Sequence, residues 1–104
     1  MTKDTEKAFK ILYCEFRRRR KSGASKPTAM EFDAQEIRNL NAFQKWLPED
    51  IDYALQELKT ANYVKYFITG GCELTETGLE FMESKPKDFF SELAGLFDLI
   101  SLFC

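Results

Sequence analysis

The sequence predicts a mainly helical α+β domain, and three observations predict it. Apolar residues recur at spacings of three and four along most of the chain. That period gives way to strand-like composition in one stretch, Tyr63 to Leu74, which centres on Gly70-Gly71. Helix start and stop residues punctuate the remainder. At 104 residues the chain is long enough for one core, and its ten phenylalanines supply large side chains to fill it.

A first helix is expected from Asp4, as cap, to about Lys21. Ala8, Phe9, Leu12, Tyr13 and Phe16 form its apolar face, and Ser22-Gly23 stops it. Ala24 to Thr28, with Pro27, reads as a loop, and Ala29 to Phe32 as a brief extended segment. Asp33 and Glu36 have capping-box spacing. They open a second helix to about Phe43, with Ile37, Leu40 and Phe43 inward. Pro48 suits the first turn of a third helix, which ends near Ala61. Ile51, Ala54, Leu55 and Leu58 are its buried stripe, and Asn62 suits a left-handed stop. Tyr63 to Ile68 and Cys72 to Leu74 then read as a hairpin turning at Gly70-Gly71. Thr75 opens another helix through about Glu83, and Pro86 a last one to the C-terminus.

Helix, short strand, helix, helix, hairpin, helix is the winged-helix arrangement: a three-helix core, a short wing and additional C-terminal helices. The stretch PEDIDYALQELKTANYVK, a hairpin, and then ELTETGLEFM resemble the matching segment of small bacterial winged-helix proteins. The Leu74-Thr75-x-x-Gly78 step falls where their last wing strand becomes a helix. Over roughly residues 5–84 the chain resembles the YjcQ-like family of Gram-positive bacteria and their phages. That resemblance implies a winged helix and says little of biochemical activity. Residues 1–84 are thus expected to form the winged-helix domain, and residues 85–104 a C-terminal amphipathic association helix.

Composition narrows the function classes. Histidine is absent, which removes His-based nucleophile pairs, His general bases and the usual zinc sites. No glycine-rich phosphate loop follows a strand. Cys14, Cys72 and Cys104 are widely spaced and form no C-x-x-C pair, so reduced thiols are expected. The first ten residues lack the apolar core of a signal peptide, and no apolar run reaches the roughly 20 residues a membrane span needs. A cytoplasmic protein without catalytic, metal or cofactor sites is the expectation.

The net charge of −2 conceals an asymmetry. Residues 1–26 hold nine Lys/Arg against three Asp/Glu, a balance of +6, and residues 27–104 hold six against fourteen, or −8. The basic end carries the run Arg17, Arg18, Arg19, Arg20 and Lys21, with Lys26 nearby. One reading is phosphate contact, helped by Arg38 and Lys45 around the second helix. The other is a helix end that favours cations, or ion pairs within the chain. Consecutive helical residues lie about 100° apart, so the run forms no single stripe. The third helix would be an unusual reader of DNA. It holds Glu49, Asp50, Asp52 and Glu57 against Lys59 alone, and the wing turn has no cation.

As a helix, the tail would set Phe89, Phe90, Leu93, Leu96, Phe97, Ile100 and Phe103 on one broad face. Pairing with a second copy is the expected use of that face, ahead of packing on its own core. A membrane surface is disfavoured, because the tail has acids but no cation after Lys87. The leading expectation is a homodimeric, DNA-binding regulator of bacterial or prophage type. The alternative is a winged helix for protein–protein contact, with the acidic third helix facing a basic partner.

Overall fold

The computed structural model describes residues 1–86 and Phe89. Helix α1, Lys3–Lys21, is the spine: every residue from Ala8 to Phe16 is buried, so this stretch is surrounded by packing on all sides. Its cap is Thr2, two residues earlier than expected. The Thr2 hydroxyl accepts from the Thr5 N–H at 3.1 Å, leaving Asp4 in the first turn, where the helix dipole favours an acid. Gly23, at φ 103°, ends the helix in the left-handed conformation that suits glycine.

The expected loop at Ala24–Thr28 is in fact the start of a short helix, α2, Lys26–Met30. Ser25 caps it and Pro27 sits in its first turn, signals that the loop reading passed over. The extended segment therefore shrinks to strand β1, Glu31–Phe32. Asp33 and Glu36 form the expected capping box, at 2.7 and 3.0 Å, and open α3, Ala34–Asn39. A 3-10 turn at Asn41–Phe43 follows, and then α4, Pro48–Thr60, burying Ile51, Ala54, Leu55 and Leu58. Asn62, at φ 67°, turns the chain into β2, Val64–Tyr66. Strand β3 is Cys72–Leu74 and helix α5 is Glu76–Glu83.

The fold is therefore α+β and mainly helical. Its antiparallel sheet has the order β1-β3-β2, with Val64 opposite Leu74, Tyr66 opposite Cys72, and Phe32 opposite Cys72 on the other side. The core lies between the sheet and the helices and includes Phe9, Leu12, Ile37, Phe43, Leu55 and Leu79. Phe9, Tyr63 and Phe81 stack on one another, with centroids 5.3 Å (Phe9–Tyr63), 4.7 Å (Tyr63–Phe81) and 6.1 Å (Phe9–Phe81) apart. Gly78 lies under this stack. A Cβ there would run into the Tyr63 carbonyl oxygen and come within 3.1 Å of the Phe9 ring.

Phe89 is half-buried against this core, with the Lys10 ammonium 4.0 Å from its ring centre. The remainder of the expected association face, Phe90, Leu93, Leu96, Phe97, Ile100 and Phe103, lies outside the described residues. Among those described, no helix is long and apolar enough to cross a membrane.

Candidate functional site

The basic run divides by helical position. Arg18 and Arg19 turn toward Glu15, three and four residues earlier on α1. Arg18 grips its carboxylate through two nitrogens, at 2.8 and 2.6 Å, and Arg19 Nε reaches the same carboxylate at 3.0 Å. Arg19 then spans to two other elements. It donates to the Glu31 carbonyl of β1 at 2.7 Å and to the Glu36 carboxylate of α3 at 2.9 Å, and its guanidinium lies over the Phe32 ring at 4.2 Å. Its side chain is only 14% exposed, so it is a cross-brace inside the fold. Burial pushes the Glu15 carboxyl up, but the hydrogen bonds and charges of Arg18 and Arg19 prevail and hold it below the ordinary carboxylate range.

Arg17, Arg20 and Lys21 share the opposite side of α1 with Tyr13 and Phe16, at helical spacings of three and four. They line an open cleft of about 470 Å³, together with Lys26 of α2 and Glu83 of α5. Arg17 sits 5.9 Å from the Tyr13 ring centre. Arg20 bonds the Ala24 carbonyl at 3.1 Å, and Lys26 pairs with Glu76 at 3.0 Å. Four cations and Glu83 thus line the cleft, and Glu76 neutralises one of the four.

Arg38 and Lys45, both exposed, lie elsewhere. Arg38 is close enough to Tyr66 for its charge to act on that phenol, whose hydroxyl donates to Asp52 at 3.0 Å. Burial first, and then this bond to Asp52, raise the Tyr66 pKa. The eight cations singled out in the sequence therefore fall into a brace, a cleft and two separate positions near α4, and do not form one patch.

The outer surface of α4 has a different character. Glu49, Asp50, Asp52 and Gln56 are exposed, and Tyr53 is 63% exposed among them. Leu47, at the helix start, is 65% exposed, and Phe67 and Ile68 project from the hairpin turn at 44% and 105%. The Tyr66–Asp52 bond ties the base of that turn to α4. At the far end of α4, Glu57 accepts from the Thr2 hydroxyl at 3.1 Å and from the Thr5 hydroxyl; these bonds, Thr5 foremost, lower its pKa. None of the bonds made by Arg18, Arg19 or Arg20 reaches α4.

Sequence reading missed two residues that organise this geometry. Glu15 anchors the run, and its spacing to Arg18 and Arg19 was the available signal. Lys10, 2% exposed, pairs with Glu6 at 3.4 Å and contacts Phe89; nothing in its local sequence marks it as buried. Cys72 is a free thiol, as expected, and burial pushes its pKa up to about 12. Cys14 is buried. Among the described residues, no group of three or more Cys, Asp or Glu could hold a metal ion. The chain matches no protein-family model, no curated protein and no solved structure.

Proposed function

We propose that this is a non-enzymatic, cytoplasmic winged-helix protein of the YjcQ-like kind, whose α4 face docks a basic protein partner. The sheet order β1-β3-β2, with α3 and α4 between β1 and the hairpin, supports the winged-helix reading. The observation that carries the function is the surface of α4. It offers three exposed acids, Glu49, Asp50 and Asp52, an exposed tyrosine and flanking apolar side chains, while Arg18 and Arg19 are engaged by Glu15, Glu36 and the Glu31 carbonyl. A phosphate-lined groove repels such a face. A basic protein surface is drawn to it, and exposed aromatic residues are the usual anchors of protein interfaces. Pairing of two copies through residues 85–104 belongs to the same proposal.

The DNA reading stays as the second one, on a specific observation: Arg17, Arg20, Lys21 and Lys26 surround one open cleft. Contact there would be with phosphates, independent of base sequence.

The test is anisotropy of a labelled, lysine- and arginine-rich helical peptide titrated with the protein at about 0.15 M salt. Glu49→Lys with Asp50→Lys, and separately Tyr53→Ser, each weaken binding about tenfold or more, roughly 1.4 kcal/mol. Equal affinity in all three proteins would contradict the docking assignment.

A further inference from the structure

The cleft beside α1 has no part in the α4 surface, and its chemistry points to a ligand of another kind. Two properties define it. Its volume of about 470 Å³ lies within the range of small-molecule sites, and is far too small for a folded partner. Its charge is lopsided: Arg17, Arg20, Lys21 and Lys26 line it with Glu83, and Glu76 pairs with Lys26 at its edge. Most like-charged side chains on a surface diverge into solvent. Here helical spacing aims three of them from one face of α1, and α2 brings the fourth from across the cleft.

The arrangement is also braced. Arg19 locks the other side of the same helix to β1 and α3, so the rotation of α1 that aims Arg17 and Arg20 is fixed. Tyr13 and Phe16 form an aromatic wall, with rings 6.1 Å apart, and Arg17 lies against Tyr13. Arg20 keeps donors beyond the one it gives to Ala24. Guanidinium forks match phosphate oxygens geometrically, and lysines add point charge.

We propose that this cleft binds a small molecule carrying a diphosphate or triphosphate group. Arg17 and Arg20 grip the phosphates, and Glu83 sets a limit on affinity by repulsion. The shared chemistry is the phosphate group, and free nucleotides, pyrophosphate and a nucleic-acid strand could all present it.

Isothermal titration of the full chain at about 0.15 M salt tests the assignment, with inorganic pyrophosphate, a nucleoside triphosphate and a short DNA duplex as probes. Pyrophosphate and the nucleotide bind in one-to-one stoichiometry. Arg17→Gln with Arg20→Gln weakens them about tenfold or more, whereas Arg38→Gln with Lys45→Gln, which removes the same charge, leaves them unchanged. Glu83→Gln tightens binding severalfold, a gain that misfolding could not produce. Three results would overturn the proposal: no heat with either small probe, equal loss in both double variants, or saturable binding of the duplex alone. The last would transfer the cleft to the DNA reading, and loss of peptide docking at α4 would leave the cleft result standing.

Discussion

Glu15 is an acid buried on a helix among Cys14, Phe16 and the core, and it is tolerable only because two guanidinium groups meet it. Its folded-state pKa lies below the ordinary value, so the stabilisation it gives is complete above the ordinary carboxylate range. It disappears as pH falls through the folded value. Thermal melts across that acid window should show stability falling in the wild type, and a shallower fall in Glu15→Gln. The substitution itself costs about 1–2 kcal/mol near neutral pH, by leaving Arg19 without its buried partner. A steeper acid limb in the variant would contradict this assignment. Cys72 presents the opposite case. Wholly buried, with its pKa at about 12, it should resist thiol reagents in the native protein and react only under denaturing conditions. Rapid native labelling at Cys72 would show that β3 opens.

At the scale of elements, the junction of β3 and α5 is set by close approach. Thr75 caps α5 by accepting from the Gly78 N–H at 2.9 Å, and its own hydroxyl donates to the Asn62 carbonyl at 2.7 Å. Gly78 then passes so near Tyr63 and Phe9 that a methyl group must displace backbone. Gly78→Ala should therefore destabilise by about 1–3 kcal/mol despite alanine's better helix propensity, lowering Tm by roughly 4–8 °C per kcal/mol. An unchanged or raised Tm would refute the packing argument. This junction was legible beforehand, because Thr75 and Gly78 are both strong local signals, as were Asp33 with Glu36 and Pro48. α2 was marked only by Ser25 and Pro27, since five residues around a proline carry too little periodicity to separate a helical turn from a loop. The partition of the basic run was half legible. Spacing to Glu15 was written in the sequence, but the arrival of Glu31 and Glu36 depends on tertiary packing, which no local pattern encodes.

At the scale of the whole molecule, the basic run on α1 and the acidic surface of α4 belong to different elements. The arginine run asked for a polyanion, but Arg19 holds α1 to β1 and α3, Arg18 pairs with Glu15 within α1, and the others open onto a cleft of small-molecule size. The acidic α4 and the hairpin turn stand apart from them with exposed Tyr53, Leu47 and Ile68. The central claim is that this α4 face meets protein and not DNA. Backbone amide shifts of labelled protein, followed at about 0.15 M salt while a short duplex and then a polybasic peptide are added, test it most directly. The account predicts that the peptide moves the amides of Asp52, Tyr53 and Gln56 and that the duplex leaves them in place. Saturating shifts of those α4 amides by the duplex would contradict it.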